Sequence, residues 1–352
     1  MVNNEIFSFE ILLFLILQIK LFYTKLTNQL TLCTMKKLLK ILGILLSIIV
    51  GFGLIGFLFI QFRGIPSYET QTIDHRVVST PASIERGKKL AMMLCANCHR
   101  NPETGKLTGT LMLDAPKEFG TIYSQNISQD STFGIGNWTD GELIYLLRTG
   151  IKKNGEYAPP YMSKLPTMAD ADVDAIISFL RSDDPVVVAD ATIDHPCEPS
   201  FLSKFLSTVA FKPLPMPKQK IELPDTTDPI ALGKYLAQNL DCYACHSADF
   251  KTMNNLNPEL SEGYFGGGNK PLNREGQVIL TPNLTPDVET GIGSWSTEQF
   301  IKAVKYGSKE GEYALRYPMT PYIYLTDDEA YAILQYLKTI PPIKNKVVRS
   351  TF

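Results

Sequence analysis

The chain has 352 residues, 44% of them hydrophobic and 20% charged, with a formal net charge of −2. That length suits two small domains plus an anchor, and so apolar a composition excludes a disordered polymer. With 34 basic residues against 36 acidic ones, nothing points to a nucleic-acid partner.

The chain opens on two apolar stretches. Residues 1–34 carry one from Ile6 to Phe22, broken by Glu10 and Lys20, and Met35-Lys36-Lys37 looks like a natural start. Residues 1–34 are therefore read as an over-extended start or, alternatively, an extra membrane segment. Residues 35–63 are read as a transmembrane anchor, because Ile41 to Phe62 is an uncharged run of 22 residues. Lys36, Lys37 and Lys40 precede it, which predicts a cytoplasmic N-terminus. The body then lies on the periplasmic side of the inner membrane, held by a single pass. No convincing small-x-small cleavage site follows before Gln61-Phe62-Arg63, so an uncleaved anchor is read over a removed signal peptide. Residues 1–63 hold six Lys/Arg and two Asp/Glu, leaving a mildly acidic body of formal charge −6.

A linker at 64–81 leads to a helical pattern, Arg86-Gly87-Lys88-Lys89-Leu90-Ala91, and then to Cys95-Ala96-Asn97-Cys98-His99. The same succession returns as Leu232-Gly233-Lys234-Tyr235-Leu236-Ala237 and Cys242-Tyr243-Ala244-Cys245-His246. Two thiols one helical turn apart, followed directly by an imidazole, are the signature of covalent c-type haem attachment. The thiols add to two vinyl groups of one porphyrin, and the imidazole reaches its iron. A zinc site needs four converging ligands, whereas each pair here has its own unit and one histidine. Two covalent haems are the reading.

Beyond the pentads the chain repeats itself at an offset of 157 residues, matching Asn126 to Asn283, Gly134-Ile135-Gly136 to Gly291-Ile292-Gly293, Trp138 to Trp295 and Met162 to Met319. The cysteines are offset by 147, so the second copy has ten extra residues between pentad and Asn. They are expected in a surface loop around Tyr264-Phe265-Gly266-Gly267-Gly268. The matched Met162 and Met319 are the candidate second iron ligands, since a soft thioether favours ferrous iron. Met168 is the rival in the first copy, but its counterpart is Leu325.

Capping boxes at Thr139/Glu142, Ser296/Gln299 and Thr326/Glu329 open helices, and the first two helices are expected to stop near Gly150 and Gly307. Apolar stripes run through Val173, Ile176, Ile177 and Leu180, in a helix from about Asp170, and through Ala330, Ile333, Leu334 and Leu337. Between the copies, residues 183–227 are Pro-rich and read as a stiff connector draped over both, with a short helix at Phe201 to Ala210. Four of the six cysteines belong to the pentads. Cys33, Cys197, His195 and His75 have no matched partner and are assigned no role.

These residues resemble the class I cytochrome c family over roughly residues 82–182 and 228–340. Asn283-Leu284-Thr285-Pro286-Asp287 followed by Thr290-Gly291-Ile292-Gly293 and Trp295 is similar, more narrowly, to the cytochrome c subunits of membrane-bound alcohol and gluconate dehydrogenases. The likeness does not extend to the third haem those subunits usually have. It implies an all-α fold with two tandem cytochrome c domains, 82–182 and 228–342, the linker 183–227 between them and a tail at 343–352. It further implies that Cys95, Cys98, His99 and Met162 serve one haem and Cys242, Cys245, His246 and Met319 the other. The function expected is single-electron transfer from a dehydrogenase or quinol-oxidising donor to a cytochrome or oxidase acceptor. The alternative is a dihaem peroxidase or thiosulfate-oxidising cytochrome, which needs an open iron position.

Overall fold

The computed structural model describes residues 32–308, 314–315 and 317–348, together with Gln18. The apolar stretch from Ile6 to Phe22 and the end of the tail lie outside the described residues. The chain divides into two compact units, 1–63 and 64–352.

In the first unit, helix α1 spans Leu32–Arg63. Within it, Leu38–Arg63 is the one described helix long and apolar enough to cross a membrane. None of these 26 residues is buried, so the helix offers apolar surface all round.

The second unit is helical, and its elements repeat. The first module consists of α2 (Pro81–Leu94), α3 (Ala96–His99), α4 (Asp140–Thr149) and α5 (Asp170–Leu180). A connecting helix α6 (Phe201–Val209) follows. The second module consists of α7 (Pro229–Asn239), α8 (Cys242–His246), α9 (Thr297–Tyr306) and α10 (Asp327–Leu337). The only described strands, β1 (Gly120–Thr121) and β2 (Glu198–Pro199), pair antiparallel.

The helices begin where the sequence offers side-chain acceptors. Thr139, Ser296 and Thr326 each accept a hydrogen bond from the backbone N–H three residues on, and that residue's side-chain oxygen accepts one from the cap residue's own backbone N–H. Each such cap contributes about 1 kcal/mol. Helices α4 and α9 end at Gly150 and Gly307, both left-handed.

Each module is closed by packing its first helix on its last. Val173, Ile176, Ile177 and Leu180 of α5 are at most 5% exposed, as are Ala330, Ile333, Leu334 and Leu337 of α10. Burying each larger side chain contributes about 1.5–3 kcal/mol. The crossings are so close that only glycine fits. A Cβ on Gly87 would stand 1.7 Å from the Ala175 carbonyl oxygen, and one on Gly233 would stand 1.9 Å from that of Ala332. Ala175 and Ala332 are again 157 residues apart.

The modules also contact each other through equivalent residues. Lys89 on α2 pairs with Glu329 in the first turn of α10. Reciprocally Tyr235, the counterpart of Lys89 on α7, donates its hydroxyl to Asp172 in the first turn of α5 at 2.6 Å. Asp172, fully buried, is the counterpart of Glu329 and is also held by Arg86, whose Nη2 lies 2.8 Å away. Where α10 has Thr326 as its cap, α5 has Ala169, which has no side-chain acceptor. The Tyr235 hydroxyl instead bridges this helix start, accepting the Ala169 N–H at 3.1 Å while it donates to Asp172, where in α10 the Thr326 N–H donates directly to Glu329. The second module thus bridges the start of a helix of the first.

The connector bonds to the first module at several points: Leu107 to Val186, Gln129 to Val187, Asn126 to Asp190 and Thr192, Thr149 to Leu214, and Asp170 to Ile221. These bonds satisfy connector backbone groups that no helix or strand of its own pairs.

Candidate functional site

Each pentad sits on a short helix following the first helix of its module, α3 after α2 and α8 after α7. In the second module one residue, Asp241 at φ 61°, is inserted between helix and pentad and turns the chain. It accounts for the one-residue drift between the helix repeat and the cysteine repeat.

The two histidines are held alike. Nδ1 of His99 lies 2.7 Å from the carbonyl oxygen of Gln125, and Nδ1 of His246 lies 3.0 Å from that of Pro282. A carbonyl only accepts, so Nδ1 carries the proton and Nε2 keeps its lone pair for a metal. Burial lowers the proton affinity of both imidazoles, which keeps them neutral. Gln125 and Pro282 each directly precede the repeated Asn. Asn126 and Asn283 are 3% exposed and fix this loop: Asn126 Nδ2 donates to Asp190 and Thr192 carbonyls, and Asn283 Nδ2 to that of Ile343.

In the second module Cys242, Cys245, His246 and Met319 line one cavity of about 990 Å³. Ile292 of the Gly-Ile-Gly turn, Trp295 and Phe265 complete much of its apolar wall. Cofactor sites span about 300–1,000 Å³. Burial pushes the thiols of Cys95, Cys242 and Cys245 up to about 12 and that of Cys98 to about 11, so they are protonated rather than anionic. Among the described residues no three or more His, Cys, Asp or Glu converge as a metal cluster. The donor set therefore fits a covalently attached haem: paired thiols, a neutral imidazole with its tautomer fixed, and a thioether in the same apolar cavity.

The methionine loops repeat as well. Before Met162, the Ala158 N–H donates to Gly150 at 2.7 Å; after it, Leu165 donates to Leu147 at 2.7 Å. Around Met319 the equivalent bonds are Leu315 to Gly307 and Tyr322 to Val304, both 2.8 Å. Met162 thus occupies the place equivalent to Met319 and is likewise half-buried. Met168 is fully buried in the core, and its carbonyl accepts from Arg148 at 2.6 Å.

The residue after each methionine reaches the pentad turn of the other module. Ser163 Oγ donates to Asp241 at 2.9 Å, and Thr320 Oγ1 donates to Asn97 at 3.1 Å. These crossed bonds bring the two candidate sites to one shared boundary.

The Gly-rich loop corrects an expectation. Tyr264 to Gly268 is not a surface excursion: Phe265 is fully buried with φ 58°, and its ring packs edge-on against Tyr264 and Tyr336. Gly267 N–H donates to the His246 carbonyl at 2.7 Å. A bulky residue in that conformation costs about 1–3 kcal/mol and persists where the surroundings impose it. Gly267 to His246 and Leu284 to Phe265 repeat the bonds of Gly109 to His99 and Ile127 to Leu107, so Phe265 is the counterpart of Leu107 and the extra residues lie before it, between His246 and Tyr264.

The unmatched residues lie elsewhere. Nε2 of His75 pairs with Asp174 at 3.0 Å, His195 stacks on Tyr123, and Cys197 Sγ donates to the Tyr123 carbonyl at 3.2 Å.

Comparison with known proteins agrees with the repeat. The family model described as Cytochrome c matches twice, over residues 84–183 and 230–341. The chain is 31% identical over 274 residues to the gluconate 2-dehydrogenase cytochrome c subunit of Pantoea cypripedii, covering 74% of this chain and 60% of that one. It is 30% identical over 274 residues to the alcohol dehydrogenase (quinone) cytochrome c subunit of Gluconacetobacter polyoxogenes, covering 74% and 57%. The chain thus spans less than two thirds of the length of either relative. A diheme cytochrome c-type protein of Cereibacter sphaeroides is 28% identical over 264 residues, covering 71% of this chain and 83% of the relative.

Proposed function

Since the chain belongs to the cytochrome c family, with two of its domains in tandem, we propose that it is a membrane-anchored dihaem subunit that passes single electrons from a dehydrogenase to a cytochrome or oxidase. In this reading residues 82–182 and 228–342 each form a haem domain on the periplasmic side of the inner membrane, and α1 is the anchor. Cys95, Cys98, Cys242 and Cys245 tether the haems. His99 with Met162, and His246 with Met319, would ligate the two irons. A haem so held supplies a one-electron iron couple, raised in potential by the thioether.

The chain's own part is positional. The carbonyls of Gln125 and Pro282 fix each imidazole, the apolar walls keep water from the iron, and the Ser163–Asp241 and Thr320–Asn97 bonds keep the sites at a constant separation. A dehydrogenase donor is supported by the relatives, which are cytochrome c subunits of an alcohol and a gluconate dehydrogenase.

The observation that carries the reading is Met319 in the same cavity as His246, because an imidazole and a thioether there would together close the iron to small substrates. The ferric protein is expected to be entirely low-spin with the weak near-infrared methionine–iron band, and the ferrous protein to be inert to carbon monoxide. A high-spin haem that reacts with peroxide would instead identify a dihaem enzyme.

A further inference from the structure

Helix α6 is amphipathic the wrong way round for a surface helix. Its inward side carries the small polar Ser203 and Ser207, at most 2% exposed, and Ser203 Oγ donates to the Phe119 carbonyl at 2.7 Å. Its outward side carries Leu202, Phe205 and Val209, which are 40%, 38% and 54% exposed. At positions i, i+3 and i+7 these form one stripe, and a helix face is apolar where something other than water covers it.

Two further observations identify the cover. From Phe201 to Lys220 the sequence has four lysines, Lys204, Lys212, Lys218 and Lys220, and no Asp or Glu, in a body otherwise net acidic, with Lys220 paired to Glu222 just beyond. An apolar stripe flanked by lysines matches the interface of an anionic bilayer. The connections of α6 lead, moreover, to the point where the chain enters the second unit. Three residues after Arg63, the Pro66 carbonyl accepts the Tyr157 N–H, and the Tyr157 hydroxyl donates at 3.2 Å to the carbonyl of Lys212, just beyond α6.

We propose that the outward face of α6, Leu202, Phe205 and Val209, inserts among the headgroups and upper acyl chains of an anionic phospholipid surface as a second membrane contact. The inference rests on α1 being a membrane anchor. Each half-exposed side chain brought into the interface adds apolar burial, and nearby lysines add attraction that falls with salt. The contact would restrain how the haem domains swing on their tether, and so which face meets the donor.

The test uses the full haem-loaded chain in nanodiscs of phosphatidylethanolamine and phosphatidylglycerol containing a phospholipid with a diazirine near its glycerol. After irradiation, adducts are located by mass spectrometry. Adducts are expected on α1 and on Leu202 to Val209, with α6 labelled at least about fivefold more than the exposed segments holding Leu260 and Val288. Replacing phosphatidylglycerol by phosphatidylcholine should lower labelling of α6 but not of α1. The triple variant Leu202→Asp, Phe205→Asp, Val209→Asp should lose the α6 adducts and keep both haems. Labelling of α1 with α6 no higher than Leu260 and Val288 would overturn the proposal and leave the anchor intact. Absence of adducts from α1 would overturn the anchor itself. Cross-linking of α6 to a co-purified dehydrogenase subunit, without lipid adducts, would replace the lipid by a protein partner and overturn the proposal as stated.

Discussion

Gly233→Ala is expected to dismantle the second domain while sparing the first. The added Cβ would stand 1.9 Å from the Ala332 carbonyl oxygen and 2.4 Å from its carbonyl carbon. Neither atom is the free end of a flexible side chain, so relief requires α7 and α10 to separate. Separation opens the seam over Ile333, Leu334 and Leu337, all at most 3% exposed. Overpacking of a core costs about 1–3 kcal/mol and occasionally more, and a clash with backbone belongs at or above the upper end. Domains of this size are stable by about 5–15 kcal/mol, so about 3 kcal/mol is a large share. Thermal unfolding of the haem-loaded protein, followed at the methionine–iron band, should show the second haem losing its ligand well before the first. Gly87→Ala, with its Cβ 1.7 Å from the Ala175 carbonyl oxygen, should reverse the order. Transitions unchanged in both variants would mean that the helices part without cost.

Met319→Ala should leave the fold standing and change the chemistry. The residue is half-buried and lines the cavity rather than filling the core, so the loss of packing is small. Removing a thioether ligand takes away the preference for ferrous iron. The second haem's potential should fall by on the order of 100 mV or more, within the ~0.8 V range that axial ligands command. Carbon monoxide should then bind the reduced protein at one haem per chain. Met162→Ala is expected to do the same to the first haem. Met168→Ala removes a fully buried side chain and should cost about 2–5 kcal/mol of stability without moving either potential. A redox titration in which Met168→Ala shifts the first haem and Met162→Ala does not would exchange the two assignments.

The repeated chemistry was legible because it is local. A pentad, a capping box or a Gly-Ile-Gly turn draws its meaning from residues within one turn of chain, and the 157-residue offset then aligned Met162 with Met319. The bonds around those loops follow the same offset. What stayed hidden depends on pairings between distant residues. Nothing in Ala169 announces that its helix start is bridged by Tyr235, because the hydroxyl arrives from 66 residues away. Nothing local to Lys89 or Tyr235, each in the helix before a pentad, names a partner. Only the packing of one module on the other makes them equivalent contacts, to Glu329 and Asp172.

The Gly-rich loop misled for a related reason. Tyr264 to Gly268 has the composition of a surface turn, whereas the inserted residues lie before it and Phe265 stands where the first module has Leu107. Its function depends on Phe265 being forced inward, which Asn345 secures by donating to the Gly266 carbonyl at 2.9 Å from near the end of the described chain. The inverted α6 face was legible as a helix but not as an exposed apolar surface, since periodicity shows that a stripe exists and not which way it points.

Two porphyrins bonded to this one polypeptide underlie every other expectation. The chain, matured in a host that attaches c-type haem and purified intact, is to be weighed by mass spectrometry alongside pyridine haemochrome quantification. The expected result is a mass raised by two haems, with adducts at Cys95/Cys98 and Cys242/Cys245 and two haems per chain in the haemochrome. An unmodified polypeptide mass, or a single haem confined to one pentad, would contradict it.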